Sequence, residues 1–214
     1  MKRFTPNLPQ ALKTQPLSFM IQYALSECDA VEGFEFVRDE CSDFVGSELE
    51  MRGCVFKNVV LSRLDMQQMH FCDCEFIHCD LSGLPFRDGT LIRCTFSDFR
   101  MTGCTFDQML LRDVLFSDCA LKYASFSDSK IERCEFSGCD LSEGTLFGIK
   151  TKTWAISRCK LVRAQIRECS LSGLDLSDSE IAELSAPPEV LRGMTVSFSQ
   201  AAEILALFGV RIRS

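Results

Sequence analysis

From Met51 to Ile181, every fifth residue is large and apolar, with Thr151 the one exception. The series runs Met51, Phe56, Leu61, Met66, Phe71 and on through Phe116, Leu121 and Phe126 to Leu171, Leu176 and Ile181, and no insertion breaks it. The positions two residues earlier, from Leu49 to Leu184, hold no Asp, Glu, Lys or Arg in a chain that is 25% charged. Ten of them are cysteines: Cys54, Cys74, Cys79, Cys94, Cys104, Cys119, Cys134, Cys139, Cys159 and Cys169. A period of five fits neither a helix nor a plain strand. Sustained over this length, it predicts a solenoid, in which each unit stacks on its neighbours and buries nothing alone.

Two units, Cys79-Asp80-Leu81-Ser82-Gly83 and Cys139-Asp140-Leu141-Ser142-Glu143, carry the pattern most plainly. They resemble the pentapeptide-repeat family. The resemblance implies an all-β chain, a right-handed quadrilateral β-helix with four pentapeptides per coil. The central apolar residue and the small residue before it point inward, and the other three point outward. Folded at the resulting 20-residue period, one inward column reads Phe56, Phe76, Phe96, Phe116, Phe136, Ile156, Leu176, and the opposite column Met66, Phe86, Phe106, Phe126, Leu146, Ile166. Stacked rings on two facing walls are expected to fill the interior. The small positions compensate in size, with Gly89 between Met69 and Met109 and Phe99 between Cys79 and Cys119. Thr151, followed by Trp154 at the next small position, predicts a local distortion between Gly148 and Trp154.

The ends depart from the pattern. Residues 1–25, punctuated by Pro6, Pro9 and Pro16, read as an extended lead-in. Residues 26–50 read as one or two irregular coils, since Phe36 and Cys41 keep the phase but Gly46 does not fill an inward site. The β-helix is therefore placed at 26–186, ended by Pro187-Pro188. In 187–214, Ser197 and Gln200 form a capping box for a short helix. Gly209 is its expected C-terminal stop, and Val210-Arg211-Ile212 a short strand. The helix is too apolar to lie free. Its Phe198, Ile204, Leu205, Leu207 and Phe208, with Val210 and Ile212, are expected to cover the open coil end, meet a second copy in a homodimer, or both.

Composition narrows the function. Lys and Arg number 23 against 30 Asp and Glu, a net charge of −7 over 214 residues. No apolar run would cross a membrane and no signal-peptide core opens the chain, so a cytoplasmic protein is expected. Cys72-Asp73-Cys74 with Cys79 invites a metal reading, but ten of the 13 cysteines sit at the inward small position, where Cys packs as a small hydrophobe. Reduced thiols, no metal and no cofactor are expected. His70 and His78, the only histidines, fall at outward positions, and no phosphate-binding Gly motif or zinc spacing occurs. The chain reads as a non-enzyme.

The outward charges sort by wall. The wall of Phe56 to Leu176 carries Glu75, Asp98, Asp118, Glu135, Asp175 and Asp178 against Lys57 and Arg158. The opposite wall, around Phe86 and Phe106, carries Asp65, Asp88, Asp107, Asp128 and Glu168 against Arg87 and Arg167. The wall of Phe71 to Leu171 is basic, with Arg52, Arg93, Arg112, Lys130, Arg133, Lys150 and Lys152 against Glu50, Asp73, Asp113 and Glu132. The wall of Leu61 to Ile181 is balanced. This is either a solvated surface alternating its charges for solubility or a sided rod with two acidic walls. The basic wall lacks interleaved aromatics, so nucleic acid is not an expected partner.

An uninterrupted acidic solenoid that ends in an apolar helix and Gly209-Val210-Arg211-Ile212 is similar to the Qnr-type quinolone-resistance proteins and their mycobacterial relative MfpA. Asn7-Leu8-Pro9-Gln10-Ala11-Leu12, Leu171-Ser172-Gly173-Leu174-Asp175-Leu176-Ser177 and Leu207-Phe208-Gly209-Val210 most resemble the chromosomal Qnr of Gram-positive cocci. Plasmid-type Qnr proteins carry projecting loops, for which this chain has no insertion. The resemblance implies a homodimer joined through its C-terminal helices. It also implies a rod that mimics duplex DNA on DNA gyrase or topoisomerase IV and protects them from fluoroquinolones. A repeat scaffold for an unrelated protein partner is the competing expectation.

Overall fold

A computed structural model describes residues 3–46 and 48–211; the Met66 side chain and Ile212 lie outside the described residues. The chain coils into a four-walled parallel β-helix in which residue n pairs with residue n + 20. Val55–Lys57, Glu75–Ile77, Thr95–Ser97 and Leu115–Ser117 stack as one wall, with Phe56, Phe76, Phe96 and Phe116 in register. Pro85–Arg87, Thr105–Asp107, Ser125–Ser127, Thr145–Phe147 and Gln165–Arg167 stack as the opposite wall. The Leu61 wall is held by single bridges, from Val60–Asp80 to Lys160–Glu180.

The expected ring columns fill the core. Phe56, Phe76, Phe96, Phe116 and Phe136 stack with centroids 4.5–4.9 Å apart and planes within 10°. Phe86, Phe106 and Phe126 do the same on the far side, at 5.0 and 4.5 Å. The two columns meet edge-on, Phe126 against Phe136 at 5.8 Å and 90°. Phe99 fills its small position with its edge toward Phe96 and Phe76. A Cβ on Gly89 would land on the Met69 carbonyl, so only glycine fits between the two methionines.

The inward thiols do more than pack. Cys74 Sγ donates to the Met51 and Cys72 carbonyls, and Cys94, Cys119, Cys134, Cys139 and Cys159 repeat that geometry at their own positions. Ser129 does it with a hydroxyl, at 3.0 and 3.1 Å. The small position is therefore also a donor position, which explains why Cys and Ser recur there. All 13 cysteines are free thiols.

Most corners turn on a left-handed residue two places after the central one. Asn58, His78, Asp98 and Asp118 have φ between 50° and 54°. Their N–H groups donate to Ile77, Ser97, Ser117 and Ser137 carbonyls on the next coil. Left-handed backbone costs most residues about 1–2 kcal/mol, least for Gly, Asn and Asp. The ladder hydrogen bond holds the corner even where the residue is Arg93 or Tyr123.

The ends correct several expectations. The lead-in is not extended throughout: Leu17–Glu27 is a helix, α1, whose Leu17, Met20, Ile21 and Ala24 are buried against the first coil. Its first N–H is capped from outside, Leu17 N donating to Asp39 Oδ2 at 2.6 Å. Residues 31–46 are not irregular. They form a coil in full register, with Val31 on Met51, Phe36 on Phe56, Cys41 on Leu61 and Gly46 on Met66. Phe44 at the neighbouring small position packs on the core. Pro187-Pro188 does not end the stack either. Helix α2, Pro188–Leu191, buries Val190 and Leu191, and Thr195 then bridges to Asp175 as a further rung.

Near Thr151 the strands run on instead of breaking. Lys130–Ser137 and Lys150–Ser157 each pass through a corner as one strand, and Trp154 sits half-buried over Cys134. Helix α3, Phe198–Leu207, has the expected capping box and Gly209 follows with φ 71°. Val210 and Arg211 form no strand.

Candidate partner-binding faces

Ion pairing sharpens the sidedness of the walls. On the Phe71 wall, residues n and n + 20 alternate in sign at the corner and lock together. Arg93 Nε donates to Asp73 Oδ1 at 2.7 Å, and Arg133 forks Asp113 at 2.7 Å on both oxygens. Arg112 bonds Glu132 at 2.9 Å and Arg52 bonds Glu50. All four carboxylates of the basic wall are thus bridged, while Lys130, Lys150 and Lys152 form no ion pair among the described residues. The Arg133 hydrogen bonds hold the nearly buried Asp113 carboxyl below its ordinary value, against the effect of burial. Burial pushes Asp73 up, but Arg93, the Asn7 N–H and the Cys72 thiol together hold it low.

The acidic walls behave oppositely. Asp98, Asp118, Asp175 and Asp178 are exposed and Glu75 and Glu135 half-buried; across the rod Asp65, Asp88, Asp128 and Glu168 are exposed and Asp107 half-buried. Among the described residues none of these eleven carboxylates pairs with a lysine or arginine; the only ionic contact is Asp98 with His78 Nδ1 at 3.9 Å. The column order is the cause. His78, Asp98, Asp118 and Gly138 occupy successive corners, so Asp98 faces Asp118 one coil away instead of an arginine. Like charges directly opposite each other are destabilising.

The C-terminal helix only partly does what its sequence suggests. Its one buried side chain is polar: Gln200 Nε2 donates to the Leu176 carbonyl at 2.9 Å, while Oε1 accepts from Ser197 N. Ile204 leans on the core. Phe198 is 98% exposed, and Leu205, Leu207, Phe208 and Val210 stand out into solvent. Val190 and Leu191 of α2, Met194, Val196 and Ile204 pack on the core at this end together with Gln200, and the rest of the apolar face of α3 is left open.

Sequence reasoning missed one element that touches the basic wall. Residues 4–13 run along the Asp/Arg corner as a strap. Phe4 N donates to Asp113 Oδ1 at 3.2 Å and Asn7 N to Asp73 Oδ1 at 2.8 Å. The Phe4 ring sits over the Arg133 guanidinium at 5.9 Å. Lys13 ends the strap as a parallel rung beneath Phe34. Nothing in the sequence pattern marks it, because its partners lie 66 and 109 residues away and are reached through backbone N–H groups.

His78, the only histidine near an inward thiol, forms no couple with it, since Cys79 Sγ turns to the Phe56 carbonyl. Among the described residues no group of Cys, His, Asp and Glu is arranged to hold a metal, and no helix is long and apolar enough to cross a membrane.

A family model described as pentapeptide repeat region matches residues 69–146, and one described as pentapeptide repeats (8 copies) matches residues 50–84. Among solved structures, the chain is similar to a trypsin-treated variant of QnrB1, a plasmid-mediated fluoroquinolone resistance protein. Identity is 19% and the TM-score 0.43, over 86% of this chain and 100% of that one. Full-length QnrB1 gives 19%, a TM-score of 0.40, and 85% and 99% coverage. HetL, a pentapeptide repeat protein involved in heterocyst differentiation regulation from the cyanobacterium Nostoc, gives 12%, 0.43, and 83% and 89%. No curated protein matches the chain.

Proposed function

The chain is a pentapeptide-repeat protein, and we propose that it acts as a duplex-DNA mimic. On this reading it binds DNA gyrase or topoisomerase IV through its acidic walls and protects them from fluoroquinolones, working as a cytoplasmic homodimer. The observation that carries the reading is the contrast in pairing: eleven wall carboxylates without a Lys or Arg partner among the described residues, beside a basic wall whose carboxylates are all bridged. A surface built only for solubility has no need to keep like charges stacked. The Qnr-like sequence of the two ends supports the choice of partner.

Charge alone does not complete the mimicry. At ~4.8 Å per coil, about seven coils span roughly 30 Å, and duplex DNA carries about 18 charges over that length. Eleven carboxylates supply part of this, and the cross-section of the rod contributes the rest. Pairing two rods through Leu205, Leu207, Phe208 and Val210 would bury the open face of α3 twice and double the length.

Supercoiling by purified gyrase and relaxation by topoisomerase IV, each with and without ciprofloxacin, test the proposal. Protection that weakens with added salt is expected. No effect on either enzyme would favour a scaffold for another partner. Leu205→Asp with Phe208→Asp should give a monomer of reduced potency; unchanged protection by a proven monomer would remove the dimer from the mechanism.

A further inference from the structure

We propose that the Gly33–Gly53–Asp73–Asp113 corner is a groove for an extended peptide, that the strap is its resident ligand, and that it accepts a segment of another protein with an aromatic residue five places before a proline. The groove recognises backbone. Asp113 and Asp73 lie two coils apart, about 9.6 Å along the axis, and an extended chain covers about 10 Å in three residues. Phe4 N and Asn7 N, three residues apart, therefore reach the two carboxylates in step. The Arg93 and Arg133 forks hold those carboxylates charged and aimed.

Two side-chain seats set the selectivity. The Arg133 guanidinium under Phe4 takes an aromatic ring. At the other end, Gly53 and Gly33 leave a floor without side chains on which Pro9 rests. A Cβ on Gly53 would come within 3.1 Å of Pro9 Cδ, and one on Gly33 within 3.5 Å of Cγ. Phe4 to Pro9 gives the five-residue spacing. Recognition of this kind uses main-chain hydrogen bonds for affinity and pockets for specificity.

The strap leaves space beside it. A crevice of about 560 Å³, open to solvent, is lined by Leu8, Gln10 and Lys13 of the strap and by Arg52, Cys72 and Asp73 of the coils. Phe4, Asn7, Pro9, Gln10 and Ala11 are exposed. A foreign segment with larger apolar side chains in place of Leu8 and Ala11 would fill that space and gain contacts the strap lacks, offsetting the advantage of the tethered ligand.

The test uses the full chain with its strap lifted by Phe4→Ala, Asn7→Pro and Pro9→Gln, which removes the ring, the N–H donor and the wedge. The probe is a dye-labelled synthetic peptide of residues 3–13, followed by anisotropy. The lifted variant should bind it at least about tenfold more tightly than the wild type, whose tethered strap competes. Adding Asp73→Asn and Asp113→Asn should abolish binding, and a peptide array should select an aromatic residue five places before proline. If the lifted variant, folded by circular dichroism, ignores the peptide or binds a scrambled one equally, the groove is not a peptide site. A wild-type dimer that disappears when the strap is lifted would make a second copy the occupant and overturn the choice of a foreign protein. Binding retained by the Asp73→Asn, Asp113→Asn variant would overturn the carboxylate mechanism.

Discussion

Asp118 Oδ1 occupies the space that a Cβ on Gly138, one coil above, would need. Gly138 is also a left-handed corner, with φ 67°. Two independent costs therefore meet at one position. Gly138→Ala should destabilise the rod by about 1–2 kcal/mol from backbone conformation and further by displacing the carboxylate. Gly103→Ala, with φ 70° and open space around it, should show the backbone cost alone. Thermal unfolding of both, and of Gly138→Ala with Asp118→Ala, separates the two parts; equal losses at Gly103 and Gly138 would show that Asp118 exerts no pressure.

Phe116 is fully buried and stacked 4.9 Å from both Phe96 and Phe136. It also meets Phe106 edge-on across the core. Phe116→Ala should cost about 3–5 kcal/mol, read as a lower denaturation midpoint. Phe198→Ala, removing a ring that touches solvent almost everywhere, should leave the midpoint of the isolated subunit unchanged.

The fold was legible because a five-residue period leaves little freedom. Once Phe76 and Phe96 are inward, the register of every unit between them follows. The wall charges were legible for the same reason, yet their pairing was not. Only the stacked register brings Arg93 onto Asp73 and leaves Asp98 facing Asp118. The left-handed corners were blurred because ladder hydrogen bonds let Arg93, Tyr123 and Arg163 stand where Gly, Asn and Asp mark the turn elsewhere. Helix α1 did carry a signal in Leu17, Met20, Ile21 and Ala24, spaced for one helical face, but Pro16 and the short length masked it. The strap had none, since backbone donors leave no mark on side-chain pattern. The C-terminal apolar residues suggested a cap, but of them only Ile204 joins it, beside Gln200, Met194, Val196 and α2, while Phe198, Leu205, Leu207 and Phe208 stay open.

Cysteine reactivity should separate by position. Burial pushes the Cys104 and Cys134 thiols up to about 12 and that of Cys169 to about 11. For Cys139, also at about 12, the hydrogen bond with Cys119 leads. Cys28 is exposed and should react with a disulfide reagent in the native protein at neutral pH, followed by half-buried Cys72 and Cys169. The fully buried thiols should react only on unfolding, giving 13 free thiols in denaturant without reductant. A lower count would reveal a disulfide and contradict the donor role.

Acid should release the strap. The folded carboxyls of Asp73 and Asp113 titrate below their ordinary value, so their contribution is present above the unfolded value of about 3.9. It is lost as pH falls through the lowered folded values. Amide exchange at Phe4 and Asn7 should therefore accelerate below about pH 4 relative to the core, beyond the intrinsic pH dependence of exchange. Asp113→Asn should flatten the fall in melting temperature over that window. A fall of the same size in that variant would assign the acid sensitivity to other carboxylates.

The most direct measurement for the duplex-mimic reading is displacement of a labelled DNA duplex from purified gyrase by the protein. Wild type should release the duplex in a salt-dependent titration. A variant carrying Asp98→Asn, Asp118→Asn, Asp88→Asn and Asp128→Asn should need at least about tenfold more protein, as expected when unpaired charges carry the recognition. A duplex that stays bound at saturating wild-type protein, or is released equally by the variant, would contradict the claim that the acidic walls stand in for DNA.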